Sequence, residues 1–557
     1  MKRYILVALS LMSVVGLNAQ SMYDAYTFSA TDYLGTARVV GLGGAVGALG
    51  SDIGTIGVNP AGSAVASYSQ FVISPSISSS RTRTSYALDP NASYQGGVNS
   101  NRSLLKLSNI GGTSRIESGP LGAAVTFGFV INTTYDYNYE HSGRGVNGVS
   151  SKFAEMARAA QGITNSSFES NSFYDNPDYS SLWDVAMGYN VGLINAYGTD
   201  GNYVGCTEVL TDDNRRYVPG DLIQRSRQIL SGSKNDLLFN MALDFSNGFY
   251  LGFNIGVPYF GYENMERYTE SARVVEDFPI KFTYNDGSVV DTYFDNATYQ
   301  YNYSASGSGV YGKVGFIWLP FAGLRIGAAY QTPTAMDIEE TWIHSGRVSY
   351  ANGASYSGSS REGSYEYTLI TPRHYDFSVA YTFGRIGLVS ADLSAEDYRN
   401  VRFEDSYNDG TFDFVNTATS IFSGFAYNLR VGAEVNLTSN FAIRAGVSLK
   451  TSAEKYYYSD GKEVYYSDYD DDYYHGRKVL PDNSKYVNDI TRSYSVGFGY
   501  NPAGSFFADF ALRLTKLPSS VYQPYYNYED EGVTYYSPLF RTERNLVNAV
   551  LTLGWRF

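Results

Sequence analysis

The chain is poor in the groups that usually staple an exported protein or arm an enzyme. Its 557 residues hold one cysteine, Cys206, so no internal disulfide can form. Four histidines, His141, His344, His374 and His475, are scattered without ligand spacing, which leaves no metal site and no cofactor to argue for. No Ser/His/Asp or Cys/His arrangement stands out, so no catalytic residue is assigned and an enzyme is not expected. A net charge of -14 argues against nucleic acid as a partner. The one long apolar run, Tyr4 to Leu17, falls short of the roughly 20 residues that cross a bilayer as a helix.

That run has a different use. Lys2 and Arg3 precede it and Asn18-Ala19 follow it before Gln20, the three-part layout of a secretory signal peptide, with cleavage expected after Ala19. No cysteine follows, so lipid attachment there is not expected.

What the chain has in plenty is tyrosine, 53, and glycine, 56, with 16% aromatic residues and a mean hydropathy of -0.24. Such a polar average with many aromatics is expected where lipid-facing and lumen-facing residues alternate between two aromatic girdles. The alternation is visible. From Leu121 to Tyr139 the odd positions, among them Phe127, Phe129, Ile131, Tyr135 and Tyr137, form one apolar face. The same period of two runs through Phe249 to Tyr259, Tyr375 to Phe383 and Phe425 to Val435, and it excludes helix. The opposite faces carry Arg430, Gly432, Glu434, Arg444, Gly446 and Lys450, which require water. A charge facing lipid at the bilayer midplane costs about 2 to 4 kcal/mol, so these residues point inward.

The pattern predicts an all-β fold, a transmembrane antiparallel barrel of about fourteen strands: 71–80, 102–110, 121–139, 235–245, 249–263, 299–318, 323–346, 365–383, 386–404, 425–436, 440–458, 490–501, 505–520 and 545–557. The second is the least regular, because Leu104, Leu105 and Leu107 do not alternate. Long connections (81–101, 140–234, 264–298, 347–364, 405–424, 459–489, 521–544) interleave with tight turns such as Asn247-Gly248, Gly384-Arg385 and Ala503-Gly504. Short turns on one side and long loops on the other are the asymmetry of outer-membrane barrels. The last strand ends in Trp555 and Phe557, similar to the assembly signal read by the outer-membrane insertion machinery.

Ahead of the barrel lies a glycine-rich stretch, Gly35 to Gly62, that fits neither strand nor stable helix. Gly41, Gly43, Gly44 and Gly47 miss the spacing of a dinucleotide loop, and no lysine supports a phosphate loop. Thr36-Ala37-Arg38, the Gly/Ala-rich run, Asp52 and Asn59-Pro60-Ala61-Gly62 resemble the amino-terminal hatch of the FadL and toluene-transporter family. Gly307-Ser308-Gly309-Val310, Tyr330-Gln331-Thr332-Pro333-Thr334 and Thr371-Pro372-Arg373 resemble strand motifs of its Bacteroidetes-type members. The resemblance implies a signal peptide at 1–19, a hatch at 20–68 inside the lumen and a barrel at 69–557. It also implies passive passage of fatty acid-like or aromatic hydrophobic molecules across the outer membrane of a Gram-negative bacterium, from an outer groove to an inner pocket touching the hatch and out through a gap in the wall. Arg38, Asp52, Asn59, Pro60, Ala61 and Gly62 are then the hatch and gate residues.

For the ligand, Ser151 to Ala160 can form an amphipathic helix whose Phe153 and Met156, with Trp183, Met187 and Leu193 further along the loop, could line the outer groove or pack the loop upon itself. Lumenal Arg325, Arg430, Arg444 and Arg513 could hold a carboxylate head group or pair with Glu434, Asp509 and Asp392. Asp468, Asp470, Asp471 and Asp472 read as a solvated acidic run. Expected partners are a hydrophobic ligand, outer-membrane lipid, lipopolysaccharide and the insertion machinery, with the chain a monomer. A non-transporting barrel serving as a protein partner in secretion, and a porin or adhesin working through its loops, remain as other readings.

Overall fold

The computed structural model describes residues 21–117, 124–211, 215–283, 289–405, 410–459, 462–464, 485–486, 490–502 and 504–557. The signal peptide, Asp468, Asp470 to Asp472 and His475 lie outside the described residues. Fourteen antiparallel strands close on themselves. They are β1 (Gln70–Ala87), β2 (Gln95–Ile116), β3 (Ala124–Asp136, continued by Tyr139–Asn147), β4 (Leu222–Asp244), β5 (Phe249–Ala272), β6 (Val289–Phe321) and β7 (Leu324–Gln331 with Ala335–Tyr350). The circuit continues through β8 (Gly363–Ile370 with Arg373–Thr382), β9 (Gly387–Asp397 with Arg402–Glu404), β10 (Phe425–Asn436), β11 (Phe441–Thr451), β12 (Ile490–Tyr500), β13 (Phe506–Lys516 with Ser520–Tyr522) and β14 (Leu539–Arg556). β14 pairs back onto β1, from Gln70 opposite Arg556 to Ala87 opposite Leu539, so no edge remains.

Alternation assigns the faces. On β10 the outward Tyr427, Leu429, Val431 and Val435 are exposed, while Arg430 and Glu434 are buried toward the lumen. Large apolar side chains exposed around the wall on β4, β5, β8, β12 and β13 form a lipid-facing band. A closed barrel with such a band is an outer-membrane β-barrel, and none of the described helices is long and apolar enough to span a membrane.

Two bulges correct the simple period. The register of β3 on β4 shifts between Thr133 and Tyr135. Phe127 and Phe129 therefore face lipid, whereas Tyr137 beyond the bulge is buried inside and donates to Thr27 O at 3.3 Å. The unbroken face expected from Leu121 to Tyr139 is two faces, because one extra residue reverses every side chain after it. Between Ser74 and Pro75 the register of β1 on β2 also shifts, leaving Ser108 without a place in the ladder. Proline has no amide proton to give. Leu105 and Leu107, both ahead of the shift, face outward with the ordinary period of two, and the irregular third leucine, Leu104, lies on the opposite face with Arg102 and Lys106.

The long connections are also shorter than expected, because strands run on into 140–234, 264–298 and 521–544, and one of them is lost altogether. The segment 81–101 is not a long loop: β1 and β2 continue through it as strand and meet in a hairpin at 88–94. β7 and β8 are interrupted at neighbouring points, at Thr332-Pro333-Thr334 and Thr371-Pro372. Threonine hydroxyls stitch the break, Thr332 Oγ1 accepting from Gly312 N at 3.1 Å and Thr371 Oγ1 from Thr334 N at 3.0 Å.

Two further parts complete the molecule. The loop 148–221 carries helices α3 (Lys152–Ala159), α4 (Asn165–Glu169) and α5 (Trp183–Asn190) and forms a lid with its own apolar core against the tops of β6 and β7. The amino-terminal segment runs inside the barrel. Its helix α1 (Met22–Ser29) sits high in the lumen against helix α6 (Asp413–Phe422), a short helix α2 (Ala37–Gly41) packs on β12 and β13, and two 3₁₀ turns, Ile53–Gly57 and Pro60–Val65, lie on the opposite wall before the chain enters β1.

Candidate functional site

The lumenal segment is the hatch, and its lower part is seated backbone against backbone. Wall glycines make this possible. A methyl group at Gly252 would overlap Pro60 and Ala61, one at Gly432 would overlap Leu42, and one at Gly446 would overlap Gly43. At Gly327 it would lie 2.6 Å from Gly47 O. Gly43 itself has φ +64°, a conformation that other residues rarely take.

Polar groups then fix the seated backbone. Asn59 bridges hatch and wall: its Nδ2 donates to Gly47 O at 2.8 Å and to Phe316 O at 2.9 Å, and its Oδ1 accepts from Ala61 N at 3.1 Å. Pro60 opens the 3₁₀ turn, where its missing amide proton costs nothing, and its carbonyl accepts from Asn240 Nδ2 at 3.0 Å. Asp52 Oδ1 accepts from Thr36 Oγ1 at 2.7 Å and Gly54 N at 2.8 Å, tying the start of the glycine-rich stretch to its first 3₁₀ turn. Gly62 O receives Ser51 N at 2.9 Å.

Charge supplies a second layer. Arg38 reaches Glu434 at 3.1 Å, Glu434 also holds Arg444 at 2.6 Å, and Arg444 holds Asp509 at 2.5 Å. Asp392 Oδ2 accepts from Val46 N at 2.9 Å and Gly47 N at 2.8 Å. Of the four arginines considered for a head group, Arg325 donates to Leu49 O of the hatch at 2.7 Å and Arg513 forms a two-bond pair with Asp32 of the hatch at 2.9 and 2.6 Å. Arg430 lies 3.3 Å from Asp376, and Lys313 joins Asp376 to Gly57 O at 3.0 Å. Their charges are engaged in holding hatch and wall, as buried charge requires.

Two cavities flank the seat. One of about 310 Å³ lies beside α1, lined by Tyr26, Tyr135, Tyr398, Lys450, Arg544 and Leu546. The other, about 810 Å³, opens at the end where β1 begins and β14 ends, lined by Arg38, Asp52, Arg385, Glu434, Arg444 and Arg556. Arg544 differs from Arg430, Arg444 and Arg513, which are paired with carboxylates, and from Arg325, which is bonded to the hatch backbone. It donates to Ser80 Oγ at 3.1 Å and lies 4.1 Å over the Tyr139 ring, with no carboxylate partner among the described residues. Sequence reasoning missed Arg544 because the upper half of β14 was read as loop.

The lid residues have another place. Phe153, Met156 and Met187 are completely enclosed in the lid core with Leu193, not set on an open groove. Trp183 is half-buried, its ring against Trp342 and Tyr174. Beneath them Glu270 of β5, fully buried, accepts from Lys152 N at 3.0 Å, from Gln224 Nε2 at 2.9 Å and from Ser151 Oγ, so it caps α3 from the barrel rim. Desolvation pushes this carboxyl up to about 7, against the lowering pull of those donors and of the Lys152 charge. Trp555 packs outward against Phe71 and Phe506, and Phe557 stands exposed at the barrel's end. No cluster able to hold a metal occurs among the described residues.

No protein-family model matches the sequence, and no curated protein matches it. Solved structures do. A Pseudomonas aeruginosa FadL homologue aligns over 95% of this chain and 100% of its own at 11% identity and a TM-score of 0.47. The P. putida toluene transporter TodX aligns over 95% and 99% at 12% identity and 0.46, and the Ralstonia pickettii toluene transporter TbuX over 94% and 98% at 12% and 0.44. Over almost its whole length the chain is therefore similar to a FadL homologue and two toluene transporters, while its barrel and hatch stand on the pairing and contacts described above.

Proposed function

We propose that this barrel passes hydrophobic small molecules, fatty acid-like in size and character, passively across the outer membrane, and that the hatch is its gate. The carrying observation is the cavity beside α1, separated from the charged opening at the far end of the barrel by the seated hatch. An apolar solute gains nothing from a water-filled pore, but one passed between protein pockets keeps its surface from water at about 25 cal/mol per Å². The upper cavity suits an amphipathic solute: three tyrosine rings and Leu546 for its body, and Arg544 for an acidic head. The hatch residues Arg38, Asp52, Asn59, Pro60, Ala61 and Gly62 act as the seat that must loosen for passage.

Uptake of labelled oleate by cells expressing the protein, paired with conductance of the purified barrel in a planar bilayer, tests this. Saturable uptake without steady channels supports it. Large steady channels in the intact protein would defeat the gated reading in favour of an open porin. Unchanged oleate binding by Arg544→Gln would remove the head-group role alone.

A further inference from the structure

Outside the lumen, on the wall beneath the lid, the barrel carries a concentration of one charge that its overall composition does not foreshadow. Arg144 on β3, Arg225 and Arg227 on β4, Arg267 on β5 and Arg347 on β7 are all exposed on the outer face. Pairing places them in two adjacent rows. In one, Arg144 stands opposite Arg225, and the row continues through Thr269 and Thr298 to Arg347. In the other, Arg227 stands opposite Arg267, and the row continues through Gln300 to Ser345. Neither row contains a carboxylate. The nearest, Glu140, meets Arg227 at 2.9 Å from the row below.

Like charges directly opposite one another on neighbouring strands destabilise a sheet. Here that arrangement occurs twice side by side, in a chain of net charge -14. An anion between the rows removes the repulsion. A surface groove of about 590 Å³ runs along the same rows between Arg267 and Arg347, floored by Thr269, Thr298, Gln300 and Ser357, a lining of hydroxyls and amide that suits sugar. Height identifies the occupant. Tyr259 ends the exposed apolar row on β5, and Arg267 lies about 26 Å further along the strand at ~3.3 Å per residue. At a tilt of ~40° that is about 20 Å above the lipid band, beyond acyl chains and level with surface saccharide.

We propose that this band binds phosphate groups on the saccharide of the outer-leaflet glycolipid, each phosphate taken between opposed guanidiniums with the sugar in the hydroxyl-lined groove. The site is independent of the lumen and of what passes through it.

The test uses the full chain in detergent, titrated with lipopolysaccharide and with the same preparation after enzymatic removal of its phosphates, binding being read by native mass spectrometry. Intact lipopolysaccharide should bind at least about tenfold more tightly than the dephosphorylated form. The double variant R227Q/R267Q should lose that preference, while R402Q, an exposed arginine elsewhere on the outside, should keep it. Heat-modified gel mobility reports that each variant remains a folded barrel. Equal binding of both preparations by the unaltered protein, an unchanged preference in R227Q/R267Q, or an equal loss in R402Q would each overturn the proposal.

Discussion

The hatch has two unlike halves. From Thr36 to Ala66 it is held by its backbone, pressed onto wall glycines and tied by Asn59, Asp392, Arg325 and Lys313. From Met22 to Ala30 it is held mainly by side chains. Phe28 stacks on Phe260 at 4.9 Å, Tyr26 packs on Tyr398 and bonds Ser423, and a cavity lies alongside. Backbone seating tolerates little displacement, because every contact is lost together. Side-chain packing beside an empty volume can be rearranged one rotamer at a time. Under the proposed function the lower half is the closure and the upper half the part that a ligand in the cavity touches first.

Removing both halves has the largest expected effect. Deletion of residues 22–66 should leave a folded barrel that conducts steadily in a planar bilayer, where the intact protein does not. A deletion variant that stayed closed would show that the hatch is not the closure. Substituting a single seat glycine should come next. Gly446→Val forces a side chain into Gly43, and overpacking of this kind costs about 1 to 3 kcal/mol, so intermittent channels are expected with the barrel's thermal stability little changed. The same substitution at Gly261, where a side chain meets nothing, should leave conductance at the level of the unaltered protein.

Much of this was legible in the sequence. Strand number, the even parity and the inward charges all follow from a period of two and alternating loop lengths. Gly432 and Gly446 were visible as lumenal positions, yet a glycine in a strand does not announce which backbone will press on it. The contacts of Asp392 and Arg513 with Gly47 and Asp32 span hundreds of residues, and no local pattern carries them. The bulge at Thr134 was hidden for a different reason. Aromatic residues serve equally in a lipid-facing girdle and a tyrosine-lined lumen, so the reversal of face left the apparent alternation intact.

Removing one polar tie from the lower half sharpens the contrast. Asp392→Ala strips the acceptor from Gly47 N, left unsatisfied at a cost of about 1 to 3 kcal/mol, and one of two acceptors from Val46 N, which keeps Gly44 O at 3.0 Å. Faster deuterium exchange across 42–50, with α1 unchanged, is the expected result. Exchange that rises equally along the whole segment would mean that the halves move as one.

The lid offers a pH-dependent counterpart to the side-chain-held half. The Glu270 carboxyl is raised from the usual range to about 7 by burial, so the folded lid binds a proton that the open lid releases. Its contribution is complete below about pH 4.5 and is lost as pH rises through about 7, amounting to about 3 kcal/mol at most. Limited proteolysis within 148–221 should therefore accelerate between pH 5 and 8. Glu270→Gln should flatten that dependence, and a variant that kept it would place the pH sensitivity elsewhere.

The smallest effect tests the upper half most directly. Tyr26→Phe removes only the hydroxyl that meets Ser423 Oγ at 2.7 Å, leaving the ring on Tyr398 at 5.4 Å. A single hydrogen bond of this kind contributes about 1 kcal/mol. If the upper half is the part that yields to a ligand, loosening it should raise the initial rate of oleate uptake several-fold while conductance stays at the closed level, because the glycine-seated half is untouched. If both halves form one closure, the same substitution should raise uptake and leak together. Uptake unchanged in both would mean that α1 does not limit passage, and the functional contrast between the halves would then fail although their structural contrast remained.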